Sequence, residues 1–367
     1  MKPALIHLFA VFFCSQLSYS QQQKIIKPDS LTAKQMHIYG RYAFNNKHKL
    51  ELISSAVHFG FSFTGEQCTI YASLPAENEH NYLQYELDGI YQKRLRVDGK
   101  VVDPITIKTT GSGKHTIWFY KATEATTGPI LISKISAPAI KALTEPNAPL
   151  IEFIGNSITC GAAADTADFA CGTGTYQDHH NAYLAYGPRV ARALKVNFLM
   201  SSVSGIGIYR TWNADSPSMP QVYEKLDFQQ NSTRKWNFKT YTPKVVSIAL
   251  GTNDLSLGDG KSPRKPFDES IFISNYVRFI QLVKSKYPKA RIALLSSPMV
   301  KGSARITLEK CINQIKKEID SKYLADVPVA TFFFKPMDVH GCDGHPSVHD
   351  HQILAEQLTP FFKMLLK

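Results

Sequence analysis

The sequence predicts an α/β protein in which a doubly wound parallel-sheet domain follows an all-β sandwich of the jelly-roll type. Three observations predict this class. Between about residues 35 and 140, apolar and polar residues alternate with period two, in short runs with no helical stretch between them. After residue 150, apolar strands alternate with amphipathic helices. Three of those strands end in polar, glycine-containing turns, which is typical of the ligand-binding edge of an open sheet.

The chain divides into four predicted segments. Its 367 residues are 44% hydrophobic, which is enough for two domains with cores of their own. We predict a signal peptide at residues 1–20, a β-sandwich at 21–140, a linker at 141–149 and the α/β domain at 150–367.

The first twenty residues have the composition of a secretory signal. Lys2 is the only charged residue, and an apolar core spans residues 4–13 with only His7 interrupting it. This pattern predicts cleavage after Ser20 and a secreted or periplasmic protein. No later segment is apolar enough to cross a membrane, so we expect no membrane span.

Charge and cysteine content narrow the function classes. The formal net charge is +12, but the lysines are scattered rather than clustered with aromatic residues. This favours a basic surface that attracts an acidic polysaccharide or cell envelope, and not a nucleic-acid partner. The cysteines form no Cys-x-x-Cys pair, so zinc-ribbon and thioredoxin-like sites have no support. Cys160 and Cys171 bracket a short segment that a disulfide could close.

The predicted sandwich is built from short alternating strands. Residues 57–63 place a valine and three phenylalanines on one face, and residues 82–87 repeat the alternation. Turn signals at 98–100 and 111–113 separate further runs. Such a domain is either a carbohydrate-binding module or a structural companion of the domain that follows. The sequence favours the companion slightly, because no exposed aromatic platform stands out.

The predicted α/β domain begins after the proline-containing linker. Apolar runs at 150–154, 196–203, 245–250, 290–295 and 327–334 are predicted strands. Helical spacing occurs at 181–195, 271–286, 308–319 and 352–366. The connection at 208–242 is too long for a plain link, so we expect it to carry loops that shape a site.

Four residues at the predicted strand ends carry the chemistry of acyl transfer to water. Ser157, Gly205 and Asn253 each follow a strand, and His345 precedes the last helix. A serine hydroxyl is a poor nucleophile until a base removes its proton, and histidine does this near neutral pH. The backbone N–H groups of Ser157 and Gly205, with the carboxamide of Asn253, would supply three donors to the oxyanion.

These four blocks resemble the SGNH (GDSL-type) hydrolase superfamily, whose four letters fall on Ser157, Gly205, Asn253 and His345. The first block reads Gly-Asn-Ser, where the family usually has Gly-Asp-Ser, and Asn156 is given no catalytic role. With the preceding sandwich, the chain is similar to the two-domain acetyl esterases of carbohydrate esterase family two. The resemblance implies a flavodoxin-like domain and a secreted, cofactor-free serine esterase. Its expected substrate is an acetylated polysaccharide or oligosaccharide such as xylan or mannan, hydrolysed through an acyl-serine intermediate.

The group that orients His345 departs from the superfamily pattern. The superfamily's aspartate stands three residues before its histidine, whereas Asp343 stands two residues before His345. A direct carboxylate–imidazole contact therefore needs a local bend. We predict Asp343 as the third catalytic residue, with a backbone carbonyl or Asp338 as the alternatives.

Several histidines and aromatic residues remain to be assigned. His340, Cys342, His345, His349 and His351 are close in sequence, but their spacing matches no common zinc site, so we predict no metal. We expect His349 and His351 to be exposed or to cap the last helix, and Asp254 to bond within its own turn. Candidate sugar-stacking residues in the long connection are Tyr209, Trp212 and Trp236.

Two other function classes remain open on the same residues. One is a lipolytic or thioester hydrolase on the same scaffold, which assays over a series of acyl-chain lengths would separate from the acetyl esterase. The other is a non-catalytic glycan-binding protein, against which the intact serine, glycine, asparagine and histidine argue.

Overall fold

The computed structural model describes residues 29–77, 79–261 and 263–367. The predicted signal peptide and its cleavage site lie outside these residues. In chain order, the elements are the strands β1 (Asp29–Thr32), β2 (Ile38–Tyr39), β3 (Tyr42–Phe44), β4 (Leu50–Leu52), β5 (His58–Thr64), β6 (Gln67–Ser73), β7 (His80–Leu87), β8 (Ile90–Tyr91), β9 (Leu95–Asp98), β10 (Asp103–Lys108), β11 (Lys114–Lys121), β12 (Ile130–Ala137) and β13 (Lys141–Leu143).

The second part of the chain alternates strands and helices. Its elements are β14 (Leu150–Gly155), α1 (Ser157–Cys160), α2 (Tyr186–Leu194), β15 (Asn197–Ser202), α3 (Met219–Val222), β16 (Val245–Ala249), α4 (Glu269–Lys286), β17 (Arg291–Leu295), α5 (Gly302–Lys322), β18 (Ala330–Phe332) and α6 (Val348–Leu365). The predicted fold class is confirmed: a β-rich N-terminal part precedes a parallel-sheet α/β part.

The N-terminal part consists of two antiparallel sheets. One has the order β10-β6-β12-β4-β3, with β1 pairing β12, and the other has the order β13-β5-β11-β7-β8, with β2 on β5 and β9 on β7. Alternate residues of strands from both sheets are buried in one shared core, which includes Phe59, Phe61, Ile70, Phe119 and Ile132. The period-two pattern therefore marks the inner face of a sandwich.

The linker prediction is wrong at its N-terminal end. Residues 141–143 form β13, which pairs antiparallel with residues 60–62 of β5. Lys141, Ala142 and Leu143 could continue the sandwich because β5 otherwise has a free hydrogen-bonding edge there. The extended connection between the two sheet systems is correspondingly short.

The α/β part has five parallel strands in the order β15-β14-β16-β17-β18. The chain starts in β14, crosses to β15 on one side and then returns to β16 on the other. The order of the strands thus reverses at β14, and the crevice beyond its carboxyl end is where such sheets bind ligands. Ser157, Gly205 and Asn253 follow β14, β15 and β16, so the sheet brings all three to this crevice.

A buried arginine joins the two parts. Arg41 of the sandwich is 2% exposed and donates to the carbonyl oxygens of Tyr223 and Lys225 at 2.7 and 2.6 Å. Its guanidinium lies 4.1 Å from the ring centroid of Phe228 and 5.5 Å from that of Trp236. The long connection between β15 and β16 therefore folds around a side chain from the bend between β2 and β3.

A second set of contacts joins the sandwich to the segment between α1 and α2. Arg94 donates to the carbonyls of His180 and Asp178 at 2.6 and 3.0 Å, and His80 bonds the Asp178 carboxylate at 2.6 Å. Within the residues that the structure describes, no helix is long and apolar enough to cross a membrane.

Candidate active site

Ser157 begins the one-turn helix α1 directly after β14. Asn156 caps this helix, since its side-chain oxygen accepts the Ile158 N–H at 3.1 Å. The preceding Gly155 leaves room for the turn, because a Cβ there would lie 2.0 Å from Oγ1 of Thr159. The local sequence thus requires glycine before the cap and presents Ser157 at the sheet edge.

His345 lies within hydrogen-bonding distance of this serine. Its Nε2 is 3.0 Å from Ser157 Oγ, and its Nδ1 is 3.0 Å from the main-chain carbonyl oxygen of Asp343. A carbonyl only accepts, so Nδ1 carries the hydrogen and the lone pair of Nε2 accepts the Ser157 hydroxyl. Burial lowers the pKa of His345. The imidazole is therefore neutral near pH 7 and can take the serine proton.

The predicted contact from the Asp343 carboxylate is not the one that the structure has. Asp343 and Gly344 both have positive φ, +52° and +68°. This bend turns the carbonyl of Asp343, and not its exposed carboxylate, towards the ring. The other alternative, Asp338, pairs with Lys301 instead.

The segment that carries His345 is held from two sides. The buried Asp350 accepts the N–H groups of His340 and Ser347, both at 2.8 Å. A disulfide joins Cys342 to Cys171, a residue of the segment between α1 and α2. The predicted Cys160–Cys171 bridge is therefore wrong: Cys160 is a free, buried thiol.

The three predicted oxyanion donors, Ser157, Gly205 and Asn253, all line the same cavity. The N–H groups of Ser157 and Gly205 donate to no acceptor among the described residues. Ser157 lies in the first turn of a helix, where an N–H lacks a helical partner. The side-chain amide of Asn253 donates one hydrogen to the Ile206 carbonyl at 2.8 Å, which fixes the amide and leaves its second hydrogen available.

A cavity of about 930 Å³ contains this arrangement. Its residues come from the ends of β14, β15 and β16, from the start of α5 and from the segment before α6. They are Ser157, Ile158, Tyr176, Ser204, Gly205, Trp212, Thr252, Asn253, Leu255, Ser256, Leu257, Met299, Val300, Lys301, Ser303, Ala304, Asp343, Gly344 and His345.

Of the three predicted aromatic binding residues, only Trp212 borders this cavity. Trp212 is 45% exposed, and its main-chain N–H donates to the Gly205 carbonyl at 2.8 Å. Tyr209 faces away, where its hydroxyl accepts the Asp268 N–H at 3.2 Å. Trp236 is buried, stacked on Tyr241 beside Arg41. Neither Tyr209 nor Trp236 therefore belongs to the cavity that contains Ser157, and the Trp236 ring packs within the long connection.

Two residues that help to build the cavity were not predicted from the sequence. Tyr176, between α1 and α2, forms one wall of the cavity. Glu124, from the sandwich, is buried behind that wall and accepts the Ser204 N–H at 2.7 Å. No local pattern distinguishes Glu124 from any other residue at a strand end, because its partners are distant in sequence.

The remaining polar residues near the site have structural roles. The Asp254 carboxylate reaches beyond its own turn and accepts the N–H groups of Ile208 and Tyr209 at 2.9 and 3.0 Å. Burial raises the pKa of Asp254 to about 6. His349 is exposed, but His351 is fully buried against Tyr186, contrary to the prediction. No group of three or more potential metal ligands occurs within residues 29–77, 79–261 and 263–367.

Family comparisons match both parts of the chain. Residues 38–146 match the model described as carbohydrate esterase 2 N-terminal, and residues 153–349 match that of the GDSL-like lipase/acylhydrolase family. An acetylxylan esterase / glucomannan deacetylase of Cellvibrio japonicus is 28% identical over 368 aligned positions, which cover 98% of this chain and 97% of that protein.

Two solved structures that are similar to this chain over most of its length are family two carbohydrate esterases. A family two carbohydrate esterase from Clostridium thermocellum, solved in complex with cellohexaose, has a TM-score of 0.79 and 25% identity, and the match covers 90% of this chain and 99% of that one. A family two carbohydrate esterase from Cellvibrio japonicus has a TM-score of 0.78 at 21% identity, over 92% and 98% of the two chains. The second of these shows likeness of fold.

Proposed function

The chain belongs to the GDSL-like lipase/acylhydrolase family and is a serine ester hydrolase, and from this premise we propose that it removes O-acetyl groups from polysaccharides such as xylan or mannan. The observation that carries this proposal is the hydrogen-bonded series from Ser157 Oγ to His345 Nε2 and from Nδ1 to the Asp343 carbonyl, inside a cavity. Its members have the geometry and protonation that acyl transfer requires.

In the proposed reaction, His345 Nε2 takes the proton of the Ser157 hydroxyl as the oxygen attacks the acetyl carbon. The negative charge that develops on the carbonyl oxygen is bound by the Ser157 and Gly205 N–H groups and the Asn253 amide. The imidazolium then protonates the departing sugar oxygen, which leaves an acetyl-serine. Water, deprotonated by the same imidazole, releases acetate. The Asp343 carbonyl keeps the ring in the required tautomer throughout, so this series is a Ser–His dyad.

The polysaccharide assignment rests on two supports. The Cellvibrio japonicus relative is named an acetylxylan esterase / glucomannan deacetylase, and it aligns over nearly the whole chain. In addition, a second cavity of about 400 Å³ adjoins the first across Gly205 and Trp212, and none of the described residues that line it is charged. Its rim carries the exposed amides of Gln229, Gln230 and Asn231. An aromatic ring beside uncharged amides suits a neutral sugar chain.

We further infer secretion from the first twenty residues of the sequence, with cleavage after Ser20. The Cys171–Cys342 disulfide supports this inference, because such bonds persist in oxidising compartments.

The decisive experiment measures acetate release from acetylated xylan and glucomannan and from an aryl acetate. Ser157→Ala and His345→Ala should each reduce turnover by at least about a thousandfold, because each removes a partner in proton transfer. Ser303→Ala, a change of an exposed hydroxyl on the cavity rim, is the matched control and should stay within twofold of wild type. Wild-type turnover by Ser157→Ala would refute the assignment.

One observation favours a second candidate, a hydrolase of longer acyl esters. Leu255, Leu257, Met299 and Val300 form an apolar side of the main cavity. A series of aryl esters from acetate to octanoate separates the two functions. Highest kcat/KM on acetate supports the deacetylase, and a steady rise towards octanoate supports the lipolytic alternative.

A further inference from the structure

We propose that Glu124, a residue of the β-sandwich, is a positioning residue of the active site, which holds the Ser204–Gly205 turn and the Tyr176 wall in place for catalysis. The inference rests on the proposed function of the cavity, and it assigns the sandwich a part in shaping the active site. Glu124 lies just after β11, at the start of the connection to β12.

The carboxylate of Glu124 is the meeting point of three segments of the α/β part. One oxygen accepts the Ser204 N–H at 2.7 Å, and the thiol of Cys160 lies 3.6 Å from the same oxygen. The other oxygen accepts the Tyr176 hydroxyl at 3.0 Å and lies 3.5 Å from Nε2 of His180. The segments after β14, between α1 and α2, and after β15 therefore all converge on a single side chain of the sandwich.

The bond to Ser204 acts on the oxyanion donor next to it. The Val203 N–H donates to the Gly155 carbonyl at 3.2 Å, the Ser204 N–H donates to Glu124, and the Gly205 carbonyl accepts the Trp212 N–H at 2.8 Å. The groups on either side of the Gly205 N–H are thus fixed, while none of the described residues accepts that N–H. Because the Ser204–Gly205 peptide unit is planar, fixing both neighbouring units leaves it only rotation about its Cα–Cα axis, so the bond to Glu124 restricts the directions that the Gly205 N–H can take.

Burial and charge make this contact a firm one. Glu124 is 0% exposed. Burial acts to raise its pKa, but hydrogen bonding and charge from His180 and the Ser204 N–H outweigh burial and lower the pKa to about 2. The carboxylate is therefore ionised at every working pH. Its bonds to Ser204 and Tyr176 are charge-assisted, which makes them stronger than bonds between neutral groups.

The main chain of Glu124 is fixed as well. Its carbonyl accepts hydrogen bonds from Nζ of the buried Lys121 and from the hydroxyl of Thr127, the latter at 2.8 Å. These bonds hold the main chain of Glu124 in place within the sandwich, and with it the position of the carboxylate. Rigid support of this kind is what an oxyanion donor needs, because misplacement by a fraction of an ångström weakens its bond in the transition state.

The sandwich supplies a matched control. Glu86 also reaches across to the α/β part, where its carboxylate accepts the Tyr183 hydroxyl, but it borders neither the cavity nor a strand end near Ser157. Glu86→Gln removes the charge of a cross-domain contact without touching the Ser204–Gly205 turn.

The test compares full-length Glu124→Ala, Glu124→Gln and Glu86→Gln on an aryl acetate. For Glu124→Ala, we expect kcat to fall by about 10- to 100-fold with KM within about threefold, a part of the loss that removal of an oxyanion donor causes. Glu124→Gln should fall less, by about 3- to 10-fold, since it keeps one acceptor oxygen but turns an amide hydrogen towards a donor. Glu86→Gln should keep kcat within twofold, even if its Tm falls.

A second measurement distinguishes misplacement of the oxyanion donors from a general destabilisation of the fold. Phenylboronic acid forms a tetrahedral adduct on a serine oxygen and places a hydroxyl where the oxyanion would lie. Its affinity should weaken with kcat in the Glu124 variants, whereas affinity for a deacetylated xylo-oligosaccharide should not change. Folded Glu124 variants, judged by Tm, that keep both kcat and boronate affinity would overturn the proposal. If Glu124→Ala does not fold, Glu124→Gln alone decides the matter.

The two proposals can fail separately. A wild-type protein that releases no acetate from any glycan but hydrolyses aryl acetate contradicts the polysaccharide assignment only. Unchanged kcat and boronate affinity in the folded Glu124 variants of an active deacetylase contradict the positioning role only.

Discussion

Replacement of Asp343 by asparagine tests whether the imidazole is oriented by a carboxylate or by a carbonyl. The Asp343→Asn variant would keep the main-chain carbonyl that lies 3.0 Å from His345 Nδ1. It would also keep the backbone bend, because asparagine tolerates the left-handed φ of +52° found there. We therefore expect Asp343→Asn to leave the Ser157–His345 geometry intact.

The expected loss of rate in Asp343→Asn follows from the exposure of the Asp343 carboxylate. An exposed charge near a partner contributes at most about 1 kcal/mol, which corresponds to about fivefold in rate. In a serine protease triad, the same change at a carboxylate that bonds the imidazole costs about 10⁴-fold in kcat. The two arrangements thus differ by more than three orders of magnitude in the expected loss.

The assay is kcat on an aryl acetate, with kcat/KM followed against pH. His345 must be neutral to act, and burial lowers its pKa below the usual 6.5, so activity should decline only below that pH. The charge of Asp343 acts to raise this pKa. Asp343→Asn should therefore lower the pKa of His345 and move the acid limb of the pH profile to lower pH.

Asp343→Val is the contrasting variant at the same position. A β-branched residue at positive φ costs about 1–2 kcal/mol, which would displace the carbonyl and lower kcat. A loss of a hundredfold or more in Asp343→Asn, with Tm unchanged, would refute the carbonyl assignment.

Three further predictions concern the scaffold. Cys171→Ser/Cys342→Ser should lower the free energy of unfolding by about 2–5 kcal/mol and reduce kcat, because it frees the His345 segment; unchanged kcat in the folded variant would contradict this. The pKa of His351 is lowered by burial to about 3, so stability should fall by up to about 1.4 kcal/mol per pH unit from pH 6.5 to 3, and His351→Phe should flatten that slope in urea titrations. Arg41→Met should cost about 1–3 kcal/mol in denaturant melts for each of the Tyr223 and Lys225 carbonyls that it leaves without a donor, whereas the partly exposed Arg234→Met should cost under about 1 kcal/mol.

The parts of the site that follow strands could be predicted from the sequence. Ser157, Gly205 and Asn253 stand directly after apolar runs, and parallel topology brings the carboxyl ends of such runs to one edge. His345 could be placed because it directly precedes a long amphipathic helix. Each prediction depended only on local pattern and on a rule that all parallel sheets obey.

Other parts depended on contacts that no local pattern records. Trp212 and Trp236 lie in the same connection, but only the fold determines that the first borders the cavity and the second packs on Arg41. Cys171 pairs with Cys342, which is 171 residues away, and not with the nearby Cys160. Glu124 reaches the site from the other domain. In each case the deciding distance is spatial, and residues far apart in sequence set it.

The disulfide between Cys171 and Cys342 also sets an order in time. During synthesis the nucleophile Ser157 and its neighbouring donors emerge first, and His345 emerges almost two hundred residues later, three positions after the cysteine that anchors it. A chain that stops between residues 171 and 341 therefore carries a serine without its base and a Cys171 without its disulfide partner. Residues 342–345 supply both the partner of Cys171 and the base for Ser157. A product that terminates in this range of lengths would therefore be inactive towards esters and would carry a free thiol at Cys171.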